Sequence, residues 1–139
     1  MNKPRVFITE QFIANIRAEG KLAKALKRLS PDLAKYNPLP LLSTWSIVCE
    51  EILDTEQEPV FYERFAAELK RRDLNDEEID NMRVFAWRTA GWLNYEKMVW
   101  EWGKLDEKDI RKALYWQVED GEITDEERKE SLKYLAKYE

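Results

Sequence analysis

The fold is decided by residues 75–103, which read NDEEIDNMRVFAWRTAGWLNYEKMVWEWG. Asn75 is a favoured N-cap residue, and Glu78 lies three positions later, where the carboxylate of a capping box belongs. Four of the six tryptophans of the chain lie in this stretch, and between residues 84 and 95 the only charged residue is Arg88. The stretch therefore predicts a helix that begins at a strong cap and is mostly buried.

Apolar residues after this cap follow the roughly 3.6-residue period of an α-helix on two opposite faces. One face carries Ile79, Met82, Phe85, Ala86, Ala90 and Leu93, and the other carries Val84, Trp92, Tyr95, Val99 and Trp102. A helix that is apolar on both sides is usually enclosed by other helices. We expect this segment to be the central helix of the fold, with a kink or break near Gly91 and Asn94, which are weak helix formers.

Cap signals recur on both sides of the central helix. The capping-box spacing is repeated within residues 55–58, 106–109 and 124–127. Gly121 suits the left-handed residue that often follows the end of a helix. Residues 41–53, LLSTWSIVCEEIL, are apolar at helical spacing and predict a further buried helix.

The composition agrees with a helical fold. The chain has 139 residues, of which 44% are hydrophobic and 37% charged, and it contains only four glycines and five prolines. A domain of this size buries roughly two-thirds of its unfolded surface, which is enough for a real core. We predict one all-α domain over residues 1–139, an irregular bundle of about six or seven helices with the Trp-rich helix at its centre and a C-terminal αα-hairpin.

Charge and proline divide the chain into two parts. Residues 1–49 contain eight Lys or Arg against three Asp or Glu, a charge of +5. Since the net charge is −5, the remaining residues carry −10. Residues 37–40, NPLP, predict a turn because prolines and the residues before them resist helix formation. We therefore distinguish a basic helical part (1–36), the Pro-rich turn (37–40) and an acidic Trp-rich helical part (41–139).

The residue types exclude several kinds of catalytic and metal site. The chain has no histidine, which removes Ser-His-Asp and Cys-His catalysis and every His-ligated metal site. Cys49 alone forms neither an internal disulfide nor a thiolate zinc site, and the neighbouring Glu50 and Glu51 should raise the pKa of its thiol. A glycine-rich phosphate loop and the motifs HExxH, GxSxG and CxxC are also missing. We predict a protein that is not an enzyme and has no cofactor.

One segment resembles part of a metal site. Residues 120–127, DGEITDEE, are similar to the second half of an EF-hand calcium loop, with Gly121 and Glu127 in the expected places. The positions of the opening ligands are held by Trp116 and Val118, whose side chains do not bind calcium. Helix–glycine–cap geometry explains the match, and we predict no metal site.

The sequence indicates the cellular location of the protein only indirectly. The sequence has no long apolar run and no apolar core of a signal peptide near its N-terminus, so neither a membrane-spanning helix nor membrane association is expected. A single cysteine favours a reducing cytoplasm.

The tryptophans have two interpretations. Their usual role is core and inter-helix packing, but tryptophan is often incompletely buried and is enriched at interface hot spots. The candidate partner-binding residues are Trp87, Arg88, Trp100, Trp102 and Trp116. Arg88 either pairs with a carboxylate of the protein or presents its guanidinium to a ligand. A docking surface is expected to include whichever of these tryptophans remain exposed.

A basic patch is the second candidate site. Its residues are Arg17, Lys21, Lys24, Lys27, Arg28 and Lys35. The patch is either an ordinary solvated face, a contact for an acidic protein, or a phosphate contact for nucleic acid.

The leading functional hypothesis is a non-catalytic protein-binding module, a small regulator, adaptor or inhibitor that docks to another protein or to a second copy of itself. Aromatic richness (12%), charge asymmetry and the lack of catalytic motifs motivate it. The alternative is a nucleic-acid-associated regulator that uses the basic patch. A third class, a carboxylate-dependent enzyme, needs two acidic side chains that converge in a pocket, and the sequence gives no reason to pair any two.

Overall fold

The computed structural model describes residues 8–53, 57–97 and 104–139, and all regular structure in these ranges is helical. The α-helices are α1 (Glu10–Glu19), α2 (Lys21–Arg28), α3 (Thr44–Val48), α4 (Pro59–Arg71), α5 (Asp76–Ala86), α6 (Trp92–Tyr95), α7 (Glu107–Glu119) and α8 (Asp125–Lys137). Short 3-10 segments lie at Leu33–Lys35 and Cys49–Ile52, and a π-helical segment, Trp87–Gly91, joins α5 to α6. The predicted irregular all-α bundle is confirmed.

The predicted helix caps are largely present. The side chain of Asn75 accepts from the backbone N–H of Glu78 at 2.8 Å, and the Glu78 carboxylate accepts from the backbone N–H of Asn75 at 3.1 Å. The same reciprocal bonds begin α7 and α8. Gly121 has the left-handed φ of 74° that the turn between these two helices requires. Thr55 lies outside the described residues, and α4 begins at Pro59 without a side-chain cap bond.

The core is built by helices that pack across the chain. Helix α2 lies along α4, α3 contacts both α4 and α5, and α7 and α8 form the C-terminal hairpin. Ile79 and Met82 of α5 are fully buried, as expected for the central helix. Trp45 of α3 is also fully buried, and its indole N–H donates to the carbonyl oxygen of Leu135 at 2.9 Å, which ties α3 to α8.

The central helix changes its winding after Ala86. In the π-helical segment, the hydroxyl of Thr89 donates to the carbonyl oxygen of Phe85 at 2.8 Å. Gly91 leaves room for the indole of Trp87, because a β-carbon there would stand 2.8 Å from a ring carbon. The break expected near Gly91 is therefore a π segment. Residues 98–103, the end of the predicted central helix, lie outside the described residues.

Beyond the π segment, the helix packs against a different neighbour. Trp92 and Leu93 of α6 form a second apolar cluster with Ala113 of α7. The residues before the segment, such as Ala86, belong to the main core. The change of winding thus gives one continuous helix two differently oriented buried faces.

The prediction of one buried helix over residues 41–53 was wrong at its start. Ser43 caps α3, since its hydroxyl accepts from the backbone N–H of Ser46 at 3.1 Å, so the preceding residues are outside the helix. Leu41 lies at a turn between Leu39 and Leu42 and is 96% exposed. The α-helix is also short, because the chain continues as a 3-10 segment from Cys49 to Ile52.

Candidate functional site

Trp87 does not contribute to an exposed docking surface. Only 6% of the residue is accessible, because α1 and the 3-10 segment at Cys49–Ile52 cover it. Its indole N–H donates to Oε2 of Glu51 at 2.8 Å, and its ring meets Phe12 edge-on with 5.1 Å between centroids. Trp87 is therefore a buried packing residue and is not among the tryptophans that remain exposed.

Arg88 is exposed and pairs with a carboxylate of the protein. Its Nη2 lies 3.0 Å from Oε2 of Glu10 on α1, and both side chains are accessible to solvent. The backbone carbonyl oxygen of Arg88 accepts from the side chain of Gln117 at 2.7 Å, which fixes the π segment to α7. An internal carboxylate partner is thus present, and a ligand-binding role for Arg88 stays a prediction.

Trp116 is the described member of the predicted set that exposes an indole. It is 39% exposed on α7, and its neighbour Tyr115 is 53% exposed. The ammonium of Lys97 lies 5.7 Å from the Trp116 ring centroid and 2.8 Å from the Asp120 carboxylate. Lys97 therefore covers one face of the indole, and part of the residue stays accessible to solvent. Trp100 and Trp102 lie outside the described residues.

The surroundings of Trp116 form a continuous strip on α7. Lys108, Lys112, Tyr115 and Trp116 recur at helical spacing and are all exposed; we name this set the α7 surface. Neither lysine has a carboxylate partner within the described ranges. The strip ends at the exposed Glu119, one turn beyond Tyr115. The α7 surface therefore combines two aromatic rings with two ammonium groups that remain available for pairing.

Two arginines of the predicted basic patch already pair with acidic groups. Arg17 forms an ion pair with Asp80 of α5. The guanidinium of Arg28 lies 3.4 Å from the carboxylate of Glu63 on α4. Their charges therefore hold α1 and α2 to neighbouring helices and are partly neutralised at the surface.

The four lysines of the patch differ in their surroundings. The ammonium of Lys21 lies 5.4 Å from the ring centroid of Tyr62. Lys27 donates to a backbone carbonyl oxygen of α1. Lys24 and Lys35 are exposed and belong to separate helical segments. The patch thus draws its residues from three helical segments, and its binding of nucleic acid or protein stays a prediction.

The sequence reasoning missed a buried ion pair between Glu51 and Arg83. Each side chain is only 1% exposed, and Nη2 of Arg83 lies 2.9 Å from Oε2 of Glu51. The Glu51 carboxylate also accepts from the backbone N–H of Leu22 at 2.9 Å and from the indole of Trp87. Each of these charged residues lies beside apolar residues in the sequence, and this pattern was the signal of their burial. Arg88 was singled out instead because its sequence neighbours are more apolar.

This pair sits at the junction of α1 and α2. Arg83 donates to the carbonyl oxygen of Ile16 at the C-terminal end of α1, while Glu51 accepts from Leu22 at the N-terminal end of α2. A cation at a helix C-terminus and an anion at an N-terminus both complement the helix dipole. Gly20 lies between the helices, and a β-carbon there would collide with the guanidinium of Arg83. The junction therefore depends on a residue without a side chain.

A second network holds the Pro-rich turn. The carboxylate of Glu68 accepts from the backbone N–H of Leu39 at 2.9 Å and from Arg72 at 3.1 Å. Arg72 also donates to the carbonyl oxygens of Leu39 and Leu42. Burial alone would raise the pKa of Glu68, but these hydrogen bonds and the arginine charge hold its pKa below the ordinary value. The end of α4 thus fixes residues 39–42.

Cys49 has the environment of a structural residue. It is fully buried, and burial together with the charge of Asp109 raises the pKa of its thiol. A thiol that stays protonated is a poor nucleophile. Within the described ranges no cluster of three acidic or cysteine side chains is arranged to hold a metal ion. In the same ranges no helix has the length and apolar character needed to span a membrane.

We compared the chain with protein-family models, with curated proteins and with solved structures, and none of them matches it. Function must therefore be inferred from the geometry of the described residues.

Proposed function

We propose that this protein is a non-catalytic protein-binding module that docks to a second protein through the α7 surface. The observation that carries the proposal is the pair of adjacent exposed rings, Tyr115 and Trp116, on a helix whose other face is buried. Tyrosine and tryptophan are the residues most enriched at interface hot spots. A regulator, adaptor or inhibitor would act through such docking, and the single cysteine of the chain favours the cytoplasm as its location.

Contacts within the protein order both rings before a partner binds. Tyr115 and Trp116 meet edge-on with 6.0 Å between centroids, and Lys97 fixes one face of the indole. Ordered aromatic side chains lose little conformational entropy on binding, so more of their contact energy appears as affinity. On the opposite face of α7, Ile110 and Leu114 anchor the helix in the core.

The charge of the α7 surface indicates the chemistry of the partner. Lys112 lies one turn and Lys108 two turns before the rings, and both lysines are exposed. Charge complementarity favours a partner that presents acidic side chains around an apolar pocket. The protein itself carries a net charge of −5, so these lysines are a local exception to its overall acidity.

The test is affinity capture from a nuclease-treated lysate of the native host, with three versions of the purified protein. These are the wild type, the double variant Tyr115→Ala/Trp116→Ala, and a control double variant, Val60→Ala/Phe61→Ala, which removes another exposed apolar pair from α4. A hot-spot residue contributes about 2 kcal/mol or more, which corresponds to roughly a thirtyfold change in affinity. We expect a protein that the wild type and the control retain and that the α7 variant loses.

Charge is tested on the captured protein with Lys108→Glu/Lys112→Glu. We expect the variant to associate more slowly and to bind more weakly than the wild type, and we expect the wild-type affinity to fall as salt is raised. Equal capture by all versions would contradict the proposal. It would also be contradicted if the α7 variant abolished a dimer in sedimentation experiments without affecting any other protein, since the partner would then be a second copy.

A further inference from the structure

A cavity of about 350 Å³ opens between α1, the 3-10 segment at Cys49–Ile52 and the π segment. It is lined by Phe12, Ile16, Glu19, Gly20, Lys21, Glu51, Trp87 and Tyr95. Small-molecule sites typically have volumes of roughly 300–1,000 Å³, mostly apolar and aromatic walls, and a few placed polar groups. The cavity has this composition, and it is separate from the α7 surface.

Three aromatic rings form its walls, and two of them are fixed by hydrogen bonds. The indole of Trp87 donates to Glu51 at 2.8 Å, and the hydroxyl of Tyr95 donates to the carbonyl oxygen of Ile52 at 2.6 Å. The Trp87 and Tyr95 rings are inclined by 19°, with 6.2 Å between centroids, whereas Phe12 meets Trp87 at 73°. A ligand would therefore find the walls already in place.

Aromatic walls favour a cation over an anion. The face of an aromatic ring attracts cations, most strongly in tryptophan. Because the indole N–H of Trp87 donates to the Glu51 carboxylate, electron density shifts toward its ring, and its attraction for a cation increases. The charge of Glu51 itself is balanced by Arg83, so it adds little net potential.

Two charged residues, Glu19 and Lys21, border the cavity on either side of Gly20. Glu19 is exposed at the end of α1, next to Gly20. Lys21 lies on the other side of Gly20, and its ammonium is placed over the ring of Tyr62, which is not part of the lining. A carboxylate and a lysine thus both border the cavity, and the lysine ammonium lies over a ring outside the lining.

We propose that this cavity binds a small organic cation, an alkylated ammonium group whose carbon substituents contact Phe12, Trp87 and Tyr95. Alkylated ammonium ions are poorly hydrated and fit aromatic walls better than a metal ion does. Glu19 would then supply long-range attraction at the mouth.

The test is titration of the intact protein with choline, observed through the indole N–H signals in nuclear magnetic resonance. The neutral probe is 3,3-dimethyl-1-butanol, which has nearly the same shape as choline but no charge. We expect choline to give a saturable shift of the Trp87 indole signal and to bind at least about fivefold more tightly than the neutral probe, the factor that a cation–π contact of roughly 1 kcal/mol provides.

Two substitutions refine the test. Phe12→Leu removes one ring, and Glu19→Gln removes the rim charge; we expect each to weaken choline binding several-fold. Glu10→Gln makes the same charge change on α1 away from the cavity lining and should leave binding unchanged. Equal affinity for the two probes, an unsaturable shift, or equal effects of the two glutamine variants would each overturn the proposal. Unfolding curves of all variants verify that the fold is kept.

Discussion

Gly20 and Arg83 are in direct contact, although 63 positions separate them. A β-carbon on residue 20 would overlap Nη2 of Arg83 and stand 2.9 Å from Oε2 of Glu51. The contact places a buried ion pair against the backbone where α1 ends and α2 begins. Three distant parts of the chain meet there, so the junction is a sensitive point for stability.

Gly20→Ala should destabilise the protein. The backbone of Gly20 (φ −59°, ψ 153°) is allowed for alanine, so without a clash the change would stabilise the fold by about 0.4–1 kcal/mol through the unfolded state. The collision with Arg83 reverses the sign, and we expect a loss of about 1–3 kcal/mol. Urea unfolding followed by tryptophan fluorescence measures this loss. Glu19→Ala, at the neighbouring exposed position, serves as the control and should have little effect.

Arg83→Met should cost about 3–5 kcal/mol, because it leaves the Glu51 carboxylate buried without its counter-ion. Glu51→Gln in the same background should restore part of the loss. The double variant is thus expected to be less destabilised than the sum of the single variants by about 0.5–3 kcal/mol. A double-mutant cycle from denaturant curves provides the value. Strict additivity would show that the two groups do not depend on each other.

Asp73→Gly should stabilise the protein. Asp73 follows α4 with a φ of 63°, a left-handed conformation that costs a non-glycine residue about 1–2 kcal/mol. Glycine removes this cost but loses more entropy on folding, so we expect a net gain of about 0.5–1 kcal/mol in unfolding free energy.

Gly121→Ala tests the same backbone effect in the opposite direction, because it adds a side chain at a left-handed residue. Gly121 follows α7 with a φ of 74°, and an added β-carbon would meet no other heavy atom within 4 Å. Backbone strain alone should therefore lower the unfolding free energy by about 1 kcal/mol. If both substitutions shifted the thermal midpoint in the same direction, the left-handed conformation would not be the cause.

Glu68→Gln should destabilise the protein in a pH-dependent way. The carboxylate accepts charged hydrogen bonds from Arg71 and Arg72, so its loss should cost about 1.5–3 kcal/mol at pH 7. The pKa of Glu68 in the folded protein is held below the ordinary value of 4.5, so its contribution is complete above that value and is lost as the pH falls through the lowered pKa.

The measurement is the difference in unfolding free energy between wild type and Glu68→Gln at pH 7 and in steps below pH 4.5. We expect the difference to shrink as the pH decreases. Glu130→Gln removes an exposed i,i+3 partner of Lys133 and should give a small difference at every pH. A Glu68 difference that is constant with pH would contradict the role of its charge.

The sequence predicted best what neighbouring residues decide. The caps at Asn75 and Thr124, and the left-handed Gly121, follow from hydrogen bonds between residues a few positions apart. The helical period likewise identified Ile79 and Met82 as buried. These features need no knowledge of where the rest of the chain lies.

The features that the sequence did not predict depend on contacts between distant segments of the chain. Glu51 and Arg83 each lie beside apolar residues in the sequence, but nothing local pairs residues 32 positions apart. Trp87 and Trp116 have equally aromatic side chains, and only the packing of α1 over Trp87 decides which one is exposed. Burial of an individual indole is a tertiary property, so the candidate docking residues were only partly predictable.

The π-helical segment Trp87–Gly91 has a consequence for the gene that encodes this protein. A π turn holds one residue more than an α turn, so removing one residue from the segment would restore regular α-helical winding and leave the residues beyond it facing the same way. Trp92 and Leu93 would then still pack against Ala113. An in-frame loss of a single codon within this segment should thus preserve the packing of α6, whereas the same loss within the regular helix α7 would turn the residues beyond it by about 100°.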